Sequence, residues 1–254
     1  MAAGEPREVL VIGGLHGDEE AGQELVENLQ KRPIAGVTAI LGNPRACEAG
    51  VRYTEENLGT VFPGNPYTYE GRRARELLGI ARKFDIVLDV HTNRTPDCDF
   101  MVLHPEANLT LRGISSFLGI DRHILAGREY MVGHAASCAL IDLGANSTLG
   151  RMLLRHLVLE LARGYQWHPH GDAEWYGFFC GLEEEEVARH GMVPGKGFSR
   201  LPDETARALG CPPPAYSTCW LETPKGYLCE VVTPIEEPWG PLYGKWPAYH
   251  ALAG

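Results

Sequence analysis

The chain has 254 residues, 44% of them hydrophobic, and a formal net charge of -10. That length buries a sizeable core in one domain, or in one large and one small, and the acidic balance argues against general affinity for nucleic acid or an anionic membrane. No apolar run approaches the roughly 20 residues of a spanning helix, the first seven residues hold no apolar signal core, and the seven cysteines include no Cys-x-x-Cys pair, which together lead us to expect reduced thiols and a cytoplasmic location.

The first predicted strand, Glu8 to Ile12, runs through a Gly-broken turn into a helix from Glu19 to Gln30, with Ala21, Leu25, Val26 and Leu29 on one face. Gly36 to Leu41 reads as a second strand. Gly42 to Tyr69 is rich in Gly, Pro and Asn, and a loop of that length in a compact domain points to function. A helix over Glu70 to Lys83 precedes Asp85 to Val90, a continuous apolar strand of the kind buried on both faces. Phe100 to Leu103, Arg122 to Leu125 and Cys138 to Leu143 read as strands, and Asn108 to Leu118 and Ser147 to Arg163 as helices. This alternation predicts an α/β sheet covered on both faces over residues 1–164. From Tyr165 onward Pro, Gly and aromatics rise and no long amphipathic helix follows. A smaller β-rich domain is therefore expected over residues 165–254, with Tyr227 to Val232 as a strand and Glu183 to Glu186 as a solvated face or turn.

Two strand ends carry the chemistry. The first strand leads into Gly13-Gly-Leu-His16-Gly-Asp-Glu19, and Asp85-Ile-Val-Leu-Asp-Val-His91 ends in a histidine that its apolar strand does not need for packing. Glycines on both sides of His16 allow close approach of backbone and ligand. Open α/β sheets bind ligands at the carboxyl ends of their strands. His16, Glu19 and His91 thus form a candidate three-ligand zinc site with a fourth position open for water or substrate. The plainer alternative for His16 and Glu19 is a helix N-terminus with an acidic first turn.

Gly14-Leu-His16-Gly-Asp-Glu19, Gly42-Asn-Pro-Arg-Ala46, Arg52-Tyr53 and Asp89-Val-His91-Thr together resemble the aspartoacylase and succinylglutamate desuccinylase family, which is similar to the zinc carboxypeptidases. The resemblance covers about Val9 to Gly164. It implies a three-layer mixed sheet of zinc-carboxypeptidase type, one Zn2+ held by His16, Glu19 and His91, and cleavage of a small N-acyl amino acid into a carboxylate and an amine. By motif position Arg52 is the arginine that steadies the scissile carbonyl. The family's glutamate base falls on Asp142, one methylene shorter; a cap for the helix at Ser147, or a hydrogen bond to a ligand histidine, is the alternative role for it.

The family reads a substrate carboxylate with an Asn-Arg pair in an Asp-Leu-Asn-Arg run. Here the run is Asn57-Leu-Gly-Thr60, and Gly59 and Thr60 cannot mimic a guanidinium fork. Glu55 and Glu56 add negative charge to the same loop. Asn93 and Arg94, directly after His91, are candidate substrate-binding residues, Arg94 as a substitute carboxylate reader. Tyr130 and His134 lie where the family places a binding Tyr and Arg, and Tyr249 resembles its C-terminal Tyr. His168 and His170 in a His-Pro-His run are read as a loop. Two rivals stay open: a carboxypeptidase- or esterase-like zinc hydrolase, and a metal-binding ligand sensor without catalysis. A small acyl amide is the expected partner, with no nucleic acid and no membrane, and a homo-oligomer is left open.

Overall fold

The computed structural model describes residues 4–126, 130–169, 173–182, 184–193, 197–223 and 226–235. Its strands are β1 (Val9–Gly13), β2 (Val37–Leu41), β3 (Ile86–Thr92), β4 (Phe100–Leu103), β5 (Arg122–Leu125), β6 (Cys138–Leu143), β7 (Glu174–Leu182), β8 (Ser199–Arg200), β9 (Tyr216–Thr223) and β10 (Gly226–Pro234). The α-helices are α1 (Glu20–Lys31), α2 (Pro44–Ala49), α3 (Tyr69–Ala81), α4 (Leu109–Leu118), α5 (Thr148–Ala162), α6 (Glu184–Arg189) and α7 (Asp203–Ala208).

All the strands join one mixed sheet in the order β2-β1-β3-β6-β4-β5-β7-β10-β9-β8. β2, β1, β3 and β6 run parallel, and β4 turns antiparallel against β6. The direction change sets the start of β4 beside the end of β6, with Phe100 opposite Asp142. On the other side of β6, Asp142 is in register with His91 of β3.

The pleat sorts apolar side chains to two faces. Val9, Val11, Leu88 and Val90 pack with Leu25 of α1, Ile114 of α4 and Leu157 of α5, while Leu10, Ile12 and Val87 pack with Ala74 and Leu77 of α3. Both faces of β1 and β3 are therefore buried, which is why their sequences are apolar at successive positions. The result is the expected three-layer α/β arrangement.

Three expectations are corrected or refined. The 42–69 stretch holds its own structure, α2 and a 3-10 turn over Leu58–Thr60. Glu184 to Glu186 are a solvated face of a helix, opening α6 with an acidic first turn where carboxylates favour the helix dipole. The sheet also continues past residue 164, because β7 adds in parallel to β5, with Ile124 opposite Tyr176. The C-terminal strands nonetheless share a small core of their own that includes Leu182, Val187, Leu201, Ala206 and Val231. Among the described residues no helix is long and apolar enough to cross a membrane.

Candidate metal and catalytic site

The turn after β1 exists because Gly14 takes φ +67, a conformation that side chains oppose. Gly42 and Asn43 donate backbone hydrogen bonds to the carbonyls of Gly13 and Gly14, tying this turn to the end of β2. His16 follows the turn, Glu19 precedes the first residue of α1, and His91 lies near the end of β3. All three side chains are buried. Their candidate ligand atoms lie within 4.8 Å of one another.

Glu19 sits between the histidines. Its Oε1 is 2.6 Å from His16 Nδ1, and its Oε2 is 2.9 Å from His91 Nδ1. The Thr92 backbone N–H donates to Oε2 at 3.2 Å, and Arg52 donates to Oε1 at 2.9 Å. The far ring nitrogens are also engaged. His16 Nε2 is 2.8 Å from Asn57 Oδ1, which also accepts the Gly59 N–H at 2.9 Å. His91 Nε2 faces Asp89 Oδ1 at 3.1 Å.

These contacts test the fit of a metal. A carbonyl oxygen only accepts, so Nε2 of His16 carries a proton, and in the neutral ring Nδ1 presents a lone pair. A lone pair 2.6 Å from a carboxylate oxygen is repulsive unless a cation or a shared proton lies with them. Two imidazole nitrogens and a carboxylate, with His16 oriented from behind by Asn57 and Glu19 by Arg52 and the Thr92 N–H, make a donor set that suits zinc. The charges respond to this crowding. Burial pushes the His16 imidazole down and, with Arg52 and His91 acting the same way, outweighs the upward pull of Glu19. Burial alone would raise Glu19, but His16 and His91 hold its carboxyl well below the usual range. Burial would likewise lower His91, but Asp89 and Glu19 raise it well above its ordinary value.

The triad opens on a cavity of about 410 Å³ whose wall includes Arg52, Asn93, Arg94, Tyr130 and Asp142. The structure therefore brings together most of the residues singled out from the sequence. Asn93 has a different task from the one expected. Its Nδ2 donates to Asp142 Oδ1 at 2.8 Å and to the Cys98 carbonyl at 3.0 Å, and its Oδ1 accepts the Thr95 N–H at 2.9 Å. It orients Asp142 and has no hydrogen of its amide left for substrate. The helix at Ser147 is organised by Asp99 rather than Asp142: Asp99 accepts from Ser147 Oγ at 2.6 Å and from the Gly144 N–H at 2.6 Å.

Arg94 lies 3.8 Å from Asp18 and is largely exposed. His134 ends the 3-10 turn Met131–His134, near enough to His104 to help lower that ring, and is not on the cavity wall. Tyr249 and His170 lie outside the described residues.

Glu55 and Glu56 do not face the cavity. Glu55 pairs with Arg45 at 3.1 Å and accepts the Tyr69 N–H at 2.8 Å, and Glu56 accepts from Thr68. Both serve the start of α3. The loop between Arg52 and Asn57 is held instead by buried Glu70, which accepts from Thr54 N at 2.7 Å, Thr54 Oγ1 at 2.7 Å, Glu55 N at 3.2 Å, Glu56 N at 3.4 Å and Asn43 Nδ2 at 3.3 Å.

Sequence reasoning missed the roles of Asn57, Asp89 and Glu70. For Asp89 a signal existed: two residues before His91 on a strand, it shares the histidine's face. Asn57 and Glu70 gave none, because each acts across a gap in sequence that only the fold closes.

Residues 5–107 match the model of the succinylglutamate desuccinylase/aspartoacylase catalytic domain. The chain is 35% identical over 101 residues to a probable aspartoacylase of Nostoc sp., covering 33% of this chain and 34% of that protein. It is 32% identical over 123 residues to an N-acyl-aromatic-L-amino acid amidohydrolase (carboxylate-forming) of Danio rerio, covering 39% and 37%. The matched stretches thus span about a third of the length of these curated relatives. In fold the chain is similar to a succinylglutamate desuccinylase from Vibrio parahaemolyticus, with TM-score 0.63 and 16% identity over 91% of this chain and 83% of that one. It is also similar to murine aminoacylase 3, with TM-score 0.54 and 18% identity over 79% of each chain.

Proposed function

We propose, from the premise that this chain belongs to the succinylglutamate desuccinylase and aspartoacylase family, that it is a zinc-dependent amidohydrolase. Its reaction is hydrolysis of the amide bond of an N-acyl amino acid or related small acyl amide, giving a carboxylate and an amine. The observation that carries this reading is the buried convergence of His16, Glu19 and His91 beside a cavity that also presents Asp142 and Arg52. His16, Glu19 and His91 would hold the metal, which when bound supplies a Lewis acid and lowers the pKa of water toward neutrality.

The chain's own residues do the rest. Asp142 takes a proton from the attacking water and passes it to the leaving nitrogen. Asn93, donating to Asp142 Oδ1, fixes the rotation of that carboxylate. Arg52 stands beside the triad and steadies the carbonyl oxygen as negative charge builds on it. Asn57 holds the far side of the His16 imidazole, so that this ring keeps its orientation, and Asp89 places a carboxylate 3.1 Å from His91 Nε2.

Zinc-loaded protein assayed for amine release from a panel of N-acyl amino acids tests the reading. Turnover that falls with Asp142→Asn supports it. Binding of the same compounds with no turnover would favour a ligand sensor.

A further inference from the structure

We propose that Arg151 of α5 reads the substrate's α-carboxylate, and that the cleft is built for N-acyl amino acids whose other groups are apolar. This rests on the hydrolase reading above and names its substrate class. Gly59 closes one position to a carboxylate reader. A Cβ there would meet His16 Nε2 at 2.8 Å, His16 Cε1 at 3.0 Å and Asn57 Oδ1 at 3.2 Å. No side chain stands at that position unless His16 shifts, so this part of the loop cannot carry a carboxylate reader and the cation must come from elsewhere on the wall.

Three guanidiniums border the cavity: Arg52, Arg94 and Arg151. Arg52 is shared between Glu19, at 2.9 Å, and the carbonyl oxygen it steadies in the reading above. Arg94 has Asp18 as a counter-charge at 3.8 Å. The Arg151 guanidinium has no ion pair or hydrogen bond among the described residues. Its position does not serve the helix either. It is the fourth residue of α5, where a cation works against the helix dipole. Its place is favourable for an anion in the cavity. Asp142 near the end of β6 and Arg151 in the first turn of α5, the next helix, border the same cavity, so the carboxylate reader and the proposed base come from consecutive elements.

An apolar part of the wall, with Asp18 and Glu20 also on the cavity, selects against a second negative charge. Phe100, Val102, Ile124, Tyr130 and Leu140 line it. A second carboxylate against these groups would lose its hydration without a partner. An apolar side chain or acyl group gains by burial there. A singly charged N-acyl amino acid therefore fits, and a dianionic acyl-aspartate does not.

The test uses zinc-loaded protein, with N-acetyl-L-leucine and N-acetyl-L-phenylalanine each paired with its carboxamide. We expect the acid to be favoured over the amide in kcat/KM by about tenfold or more, through KM. Arg151→Gln should remove that preference while amide turnover stays within about twofold, which also reports an intact fold. Arg151→Lys should keep part of it. The same acid-over-amide preference is measured by calorimetry on zinc-loaded Asp142→Asn, alone and with Arg151→Gln. An unchanged preference in Arg151→Gln, its loss in Arg94→Gln instead, or N-acetylaspartate as the best substrate would overturn the assignment. If neither acid nor amide is hydrolysed, the hydrolase reading fails on its own, and the calorimetric preference still decides on Arg151.

Discussion

Asn57 holds His16 in one tautomer: its Oδ1 lies 2.8 Å from His16 Nε2 and also accepts the Gly59 N–H at 2.9 Å. With Nε2 protonated, Nδ1 turns its lone pair toward Glu19 and the proposed metal. Asn57→Leu should weaken zinc binding by about 10- to 100-fold, the usual cost of losing such a contact. Asn57→Asp keeps an acceptor and should bind at least as tightly as the wild type. Competition against a chromogenic chelator measures both, and equal affinity for wild type and Asn57→Leu would contradict this role.

Gly59 makes the same point by crowding. Gly59→Ala places a methyl 2.8 Å from His16 Nε2 and 3.2 Å from Asn57 Oδ1, so one of the two must give way. Zinc affinity should fall as it does in Asn57→Leu, with little change in thermal stability of the zinc-free protein. Gly59→Asn should be as harmful as Gly59→Ala.

Asp142 is tested by separating metal content from rate. Asp142→Asn should lower kcat by about 10²–10⁴ with zinc stoichiometry unchanged. Asn93→Ala, which removes the donor 2.8 Å from Asp142 Oδ1, should lower kcat less and leave KM close to its wild-type value. A rise in KM alone for Asn93→Ala would return it to the substrate-binding role expected from sequence.

How much of this was legible beforehand depends on the range of the interaction. His16, Glu19 and His91 could be read because each follows an apolar strand that announces itself locally. The two-face burial of β1 and β3 followed from the same runs. The pairing of β7 with β5 was not legible, since a strand records its own pleat and not its neighbour. Glu55 and Glu56 were read as charges near the ligand because they share a loop with Arg52, but their carboxylates turn to the start of α3. His134 was placed by its offset from Asp142, and the 3-10 turn Met131–His134 carries it off the cavity wall. Arg151 looked like any surface residue of a helix until the cavity was visible.

Glu70 predicts an acid-sensitive loop. Burial would raise its carboxyl, but hydrogen bonds from Thr54, Asn43 and the loop backbone outweigh that and lower it below its ordinary value. A carboxyl lowered in the folded state stabilises fully above its unfolded value, near 4.3, and that contribution is lost as pH falls through the lower folded value. Glu70→Gln should cost about 2 kcal/mol at pH 7. The gap from wild type should narrow below about pH 4. Urea unfolding at pH 7 and pH 3 checks this, and a gap that widens at low pH would contradict it.

The central claim is that a metal held by His16, Glu19 and His91 makes this chain an amide hydrolase. The most direct measurement follows amine release from N-acetyl-L-leucine and related N-acyl amino acids by chelator-stripped protein as zinc is titrated back. The account predicts negligible activity without metal, a rise that saturates near one equivalent per chain, and no recovery in His91→Ala. Undiminished hydrolysis by stripped protein, or full recovery in His91→Ala, would contradict it.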